Sequence, residues 1–250
     1  MNRKVTLVQC SPSDEGISAS LRHIDNIMGD GTGAGLYILP EMFASGQCID
    51  PTPVAQGMDG SIVRWLKDKA AALNAAVAGS VAVCEDGRFF NRLCFSFPDG
   101  RVMTYDKRHL FRYSGEGKYF TAGQERTVVD LDGMRILLQV CYDLRFPVFS
   151  RNRDDYDMAV YVANWPVNRQ SSWDILLRAR AMENQCFVAG VNCVGDDGYG
   201  HYEGHSALIG PYGETIVSAA DDTEEMVTGE LDMEHLMHFR EKFPVMDDAD

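Results

Sequence analysis

The chain has 250 residues, enough for one α/β domain with a large core, and 37 acidic against 23 basic side chains give a formal net charge of −14. No basic block or arginine-rich stripe interrupts that balance, which argues against nucleic acid and anionic membrane surfaces as partners. Seven cysteines, an odd number with no CxxC pair, argue against a disulfide framework and a structural zinc site. No run approaches the ~20 apolar residues of a spanning helix, and the apolar run at 5–8 is far too short for a signal-peptide core. The expectation is a cytoplasmic protein, neither exported nor membrane-bound.

In chain order, KVTLVQC reads as a strand, SPSDEG as a turn, and Ile17–Met28 as a helix. GLYILPEMF is a strand that Pro40 breaks, leaving Glu41 on the following turn. SIVRWLKDKAAALN spaces Ile62, Trp65, Leu66, Ala70 and Leu73 helically, with Gly60-Ser61 as the cap and Trp65 as core filler. Three strands follow, AAVAGSVAV, RFFNRLCFSFP and RVMTYDK, joined at Asp86-Gly87 and Asp99-Gly100, both hairpin signals. TVVDLDGMRILLQVC is another hairpin, turning at Asp132-Gly133. A short helix over 148–154 precedes the strand DMAVYVANWP, and SSWDILLRARAMENQ is a helix burying Trp173, Leu176 and Leu177. CFVAGVNCV, the hairpin HSALIGPYGETIVSA and EMVTGELD complete the strands, and MEHLMHFREKFPVMDD is a terminal helix and tail. Hairpins beside βαβ-like segments predict a mixed sheet.

Three strand ends carry candidate chemistry. The run Ile136, Leu137, Leu138 and Val140 stops at Cys141, where a buried strand delivers a thiol to the sheet edge. Glu41 and Lys107 stand at the ends of two other strands. An ordinary thiol has a pKa of about 8.5 and attacks only as the thiolate. A neighbouring carboxylate can take its proton, and a neighbouring ammonium can stabilise both the thiolate and the oxyanion that follows. His201 and His205 are four apart, but Gly200 and Gly204 argue against the helix that would align them for a metal. Arg180 and Glu183, one helical turn apart, read as a structural ion pair.

With its motifs LPEMF, YDKRHLF and VCYDLRFP in that order, the chain resembles the nitrilase (carbon-nitrogen hydrolase) superfamily from the first strand to EKFP. The resemblance implies an α/β fold, a four-layer αββα sandwich with mixed sheets paired across a dimer, and residues 1–250 as a single carbon-nitrogen hydrolase domain. It implies Glu41 as general base, Lys107 as oxyanion stabiliser, Cys141 as nucleophile, and the Tyr142 backbone N–H completing the oxyanion hole. Glu116 matches a second glutamate that holds the lysine or the substrate amide. No cofactor or metal is implied. The family pairs across the helices after the nucleophile and near the terminus, and without a long terminal extension a homodimer is the expected assembly.

VCYDLRFP, NWP, ARAMENQ, DDGYGHYEGHSALIGPYGE and REKFP look like the omega-amidase branch. That branch deamidates 2-oxoglutaramate and 2-oxosuccinamate through a thioester on cysteine. Such a substrate carries a carboxylate, and Arg145 is the candidate to grip it; the alternative is an ion pair with a structural acid such as Asp143. Phe43, Phe120, Tyr142 and Trp165 are candidate pocket walls or core. Rival readings are an amidase for another carboxylate-bearing amide, an N-carbamoyl amino acid or deaminated glutathione, and a non-catalytic binding module. Nitrile hydrolysis fits the motifs less well.

Overall fold

Period-two alternation sorts the layers from the first strand, β1 (Asn2–Gln9). Val5 and Leu7 enter an apolar cluster shared with a second sheet, while Val8 faces the other way toward helices. The same division recurs in β2 (Leu36–Ile38), where Leu36 and Ile38 point inward and Tyr37 outward. The computed structural model describes residues 2–248.

Helix α1 (Ile17–Met28) lies between β1 and β2, and α2 (Ser61–Leu73) leads into β3 (Ala76–Glu85). Ile24, Met28, Ile62, Val63 and Leu66 seat these two helices on the outward residues Tyr37, Leu39 and Val77. β3 runs through a tight turn into β4 (Arg88–Ser96) and then β5 (Val102–Asp106). Asp86 and Gly87 both have positive φ, 51° and 72°, as the twist-matched hairpin turn requires.

The second half repeats the logic. β6 (Val128–Leu131) and β7 (Met134–Val140) form a hairpin, a 3-10 turn spans Cys141–Arg145, and α3 (Pro147–Ser150) precedes β8 (Met158–Ala163). Then come α4 (Gln170–Glu183), β9 (Phe187–Asn192), the ribbon β10 (Val194–Asp197) and β11 (Gly200–Glu203), β12 (Ala207–Ile209), β13 (Thr215–Ser218), β14 (Glu225–Asp232) and α5 (Met233–Lys242). One sheet has the order β14-β1-β2-β3-β4-β5 and the other β13-β12-β9-β8-β7-β6. Both are mixed: β1, β2 and β3 are parallel, as are β7, β8 and β9, while the outer pairs are antiparallel.

Between the sheets, Leu93, Phe95, Ile136, Leu138, Val160 and Val191 are fully buried. Each such side chain contributes about 1.5–3 kcal/mol relative to exposure. On the far side, Leu137, Ala159 and Tyr161 meet Trp173, Leu177 and Ala181 of α4. The layers therefore run helices, sheet, sheet, helix, the αββα sandwich that the resemblance implies.

Three details differ from the sequence reading. The helix expected over 148–154 is only the four residues of α3. Asn152 Oδ1 accepts from the N–H groups of Asp155 and Tyr156 at 3.1 and 3.4 Å and turns the chain into β8 instead. The β10–β11 ribbon was not anticipated, because its glycine- and aspartate-rich sequence carries little strand propensity. The third is Phe43. It is buried against Trp65, ring centroids 5.7 Å apart, and against Gly79 of β3, where an added Cβ would lie 2.8 Å from the Phe43 ring. It is core and not a pocket wall. Phe120 is core too, packed with Met42 and Ala82.

Candidate active site

The sheet edges bring Glu41, Lys107, Glu116 and Cys141 together from four separate stretches of chain. Pro40 ends β2, and Met42, at φ 48°, turns the chain sharply with its N–H donating to Ser80 Oγ at 3.0 Å. Glu41 is thereby held at the end of β2 and 2% exposed. Lys107 follows β5, its N–H donating to Asn91 O at 2.9 Å and its carbonyl accepting from Gly123 N at 3.0 Å. Glu116 opens the 3-10 turn Glu116–Lys118 and accepts from Phe111 N at 2.5 Å.

The charged groups meet at the Lys107 ammonium. Nζ donates to Glu41 Oε1 at 2.9 Å and to both Glu116 oxygens at 3.0 and 3.1 Å. Burial alone would pull the ammonium toward neutrality, but Glu116 and Glu41 outweigh it and hold the pKa well above its ordinary value. Glu41 Oε2 accepts from Asn164 N at 2.9 Å, a bond that crosses from the first sheet to the end of β8 in the second.

Cys141 sits where β7 breaks into the 3-10 turn, with φ 47°, a left-handed conformation that costs a non-glycine residue about 1–3 kcal/mol. That turn lifts a half-buried sulfur into a pocket of about 300 Å3, shared with Glu41 and Lys107. Burial, then the Glu41 carboxylate, pushes the thiol well above its ordinary pKa, against the opposing pull of Lys107. Its Sγ–H points to the Asn164 carbonyl oxygen at 4.0 Å, and the direction of the shift makes it a thiol at rest. Tyr142 is the second residue of the turn, where backbone N–H groups lack intrahelical partners, and its ring packs on Phe111 and Phe146 at 4.9 and 5.1 Å.

The elbow is tied to the lysine loop by Asp143, fully buried. Its carboxylate accepts from Tyr105 Oη at 2.8 Å, His109 N at 2.9 Å, His109 Nδ1 at 2.7 Å and Val140 N at 3.0 Å. Arg145 is not among its partners, so the pair with Asp143 is ruled out. Arg145 instead lies over the Trp165 ring at 5.0 Å, and both line the pocket. A second guanidinium, Arg169, joins them, stacked over Phe111 at 4.9 Å. Arg180 pairs with Glu183 at 2.8 Å and also donates to Leu144 O at 2.6 Å, bracing the elbow from α4.

Asn91, Asp143 as a brace and Arg169 were missed by the sequence reading. For Asn91 a signal existed, a polar residue inside the apolar strand RFFNRLCFS. For the other two none did, since their partners lie far along the chain. His201, Glu203 and Asp222 bring donor atoms within 4.8 Å of one another on the outer side of β11, at the surface. His201 is already ion-paired there with Asp196 and Asp222, both at 3.1 Å.

The carbon-nitrogen hydrolase family profile matches residues 4–241. The chain belongs to the carbon-nitrogen hydrolase family. It is 46% identical over 248 residues to omega-amidase YafV of Escherichia coli strain K12, covering 99% of this chain and 96% of that one. It is 36% identical over 220 residues to the 2-oxoglutaramate amidase of Bacillus subtilis strain 168, covering 86% and 85%. In fold it is similar to a CN-hydrolase superfamily protein of Xanthomonas campestris whose crystal structure carries an arsenic adduct in the active site: TM-score 0.94, 42% identity, 100% and 98% coverage. Membership makes the chain a hydrolase acting on amides, with the αββα architecture common to the family. Among the described residues, no helix is long and apolar enough to cross a membrane.

Proposed function

We propose that this chain is an omega-amidase that releases ammonia from short 2-oxo acid amides, 2-oxoglutaramate and 2-oxosuccinamate, with Cys141 as nucleophile, Glu41 as base and Lys107 as oxyanion stabiliser. One observation carries the reading: a thiol, a carboxylate and a paired ammonium open on the same pocket as two guanidiniums, Arg145 and Arg169. The guanidiniums suit a substrate carboxylate and the thiol suits its distal amide. Relatives bearing the names omega-amidase and 2-oxoglutaramate amidase support the substrate class.

In the first half-reaction Glu41 takes the thiol proton as Sγ attacks the amide carbon. The oxyanion forms between the Lys107 ammonium and the Tyr142 N–H. Glu41 passes its proton to the nitrogen, the C–N bond breaks, and ammonia leaves a thioester on Cys141. In the second, Glu41 takes a proton from water, the hydroxide adds to the thioester carbon, the C–S bond breaks, and sulfur regains the proton as the acid departs. Glu116 holds Lys107 in place throughout. The protein groups in every step come from this chain, residues 1–250 acting as one domain.

The test is ammonia release from 2-oxoglutaramate, with Cys141→Ala alongside and glutamine, asparagine, an N-carbamoyl amino acid and a simple nitrile for comparison. Release that vanishes in the variant supports the assignment. No release from 2-oxoglutaramate by well-folded protein overturns it, and release from another amide identifies the rival. Arg145→Ala should raise KM for carboxylate-bearing amides while leaving kcat closer to its original value.

We also propose a cytoplasmic homodimer. All seven cysteines are free, and the face after the nucleophile exposes Val148 (83%) near Met237 (51%) across a groove between α3 and α5. Sedimentation of the purified chain tests the assembly, and a monomer at micromolar concentration would refute it.

A further inference from the structure

Asn91 lies behind the proposed reacting groups, in the middle of β4, 2% exposed and flanked by Phe90 and Arg92. Its Nδ2 donates to Glu41 Oε1 at 2.7 Å and reaches Glu116 Oε1 at 3.4 Å. These are the two oxygens that Lys107 Nζ contacts at 2.9 and 3.0 Å. Two donors and two carboxylate oxygens thus alternate around a closed ring, with the neutral donor opposite the charged one. The reversed amide is excluded by chemistry, because Oδ1 in that place would face two carboxylates. Oδ1 itself has no hydrogen-bond partner among the described residues. A side chain kept only to fill this space would be apolar; this one leaves a buried acceptor unpaired and keeps its N–H groups on the carboxylates.

The electrostatics give the amide a task. Two buried carboxylates share one ammonium, so the cluster carries one negative charge in excess. A carboxylate accepts from a thiol only when ionised, and hydrogen bonds donated to it favour that form. Glu41 receives one on each oxygen besides that from Lys107: Asn91 on Oε1, and the Asn164 N–H on Oε2 at 2.9 Å. Asn91 is not among the residues lining the pocket, so it acts through Glu41 and not on the substrate.

We propose that Asn91 is a positioning residue that keeps Glu41 ionised and aimed at the Cys141 thiol in spite of the neighbouring Glu116. The inference rests on the reading of Glu41 as the base of Cys141. Two variants of the full-length chain test it: Asn91→Leu, similar in size without a donor, and Asn91→Asp, the same shape without a donor when ionised. Two readouts are followed against pH, kcat/KM on 2-oxoglutaramate and the rate at which iodoacetamide alkylates Cys141, located by peptide mass mapping. The second needs no amide, so it judges Asn91 even if the substrate assignment fails.

The expected result is that the acid limb of both profiles moves up by about one pH unit or more. Activity at pH ~6 falls about tenfold or more, it recovers as pH rises, and KM changes little. Acid limbs that stay in place overturn the proposal, and so does a loss that is uniform across pH and tracks a fall in thermal stability. If Asn91→Leu does not fold, Asn91→Ala, which removes the donor without adding a charge, decides in its place, because the same upward shift is required of it.

Discussion

Removing the Asp143 carboxylate should loosen the nucleophile without dissolving the fold. Asp143→Ala takes away the acceptor for four donors at 2.7–3.0 Å. His109 is partly exposed and can turn to water, but Tyr105 Oη and the Val140 N–H are buried and are left unpaired. Each buried donor without a partner costs about 1–3 kcal/mol, so the two together cost about 2–6 kcal/mol. The expected loss is therefore about 2–6 kcal/mol of a total near 5–15 kcal/mol, leaving a folded but softened protein. Val140 and Asp143 flank Cys141, so the sulfur loses its fixed position, and a displacement of about 1 Å is worth about a hundredfold in kcat. Urea unfolding measures the first quantity and ammonia release the second. Asp143→Asn keeps one acceptor oxygen and should fall between. A destabilisation below about 1 kcal/mol, or an unchanged kcat, would refute the bracing role.

Lys107→Met keeps the bulk but leaves Glu41 and Glu116 facing each other without a cation. Stability should fall by about 3–5 kcal/mol and kcat by at least about a hundredfold, read by urea midpoint and ammonia release. Gly123→Ala sets a Cβ 2.1 Å from the Asp106 carbonyl oxygen, so backbone must move beside Lys107. The expected cost is about 1–3 kcal/mol, with kcat reduced more than KM is raised. Alkaline pH should destabilise the fold. Burial pushes Cys94 and Cys186 up to about 12, and burial followed by Glu41 does the same to Cys48. An unfolded thiol releases its proton near 8.5, so this stability is complete below that pH and is lost as pH rises toward 12, at about 1 kcal/mol per pH unit for each thiol. A urea midpoint that stays flat from pH ~8.5 to ~11 under reducing conditions would contradict it.

The reacting groups were legible because each ends an apolar strand, a one-dimensional signal. Glu41 follows Leu36–Ile38 and Pro40, Lys107 follows Val102–Asp106, and Cys141 follows Met134–Val140. Their mutual distances belong to the packing of two sheets, which no local pattern encodes. Asn91 stands out in its strand only as a polar residue, and its partner stays hidden until Glu41, 50 positions away, comes within 2.7 Å of it. Phe43 misled for a related reason: its place beside Glu41 suggested the pocket, but the left-handed Met42 and the space over Gly79 send its ring into the core. The hairpins at Asp86-Gly87 and Asp132-Gly133 were legible because the backbone sign they need is written in the residue types.

The bond from the Asn164 N–H to Glu41 joins an end of one sheet to an end of the other. Glu41 and Lys107 belong to the first sheet and Cys141 to the second. Neither half of the sandwich owns a complete set of reacting groups. The proposed base therefore meets the thiol only when the two halves have closed on each other in register.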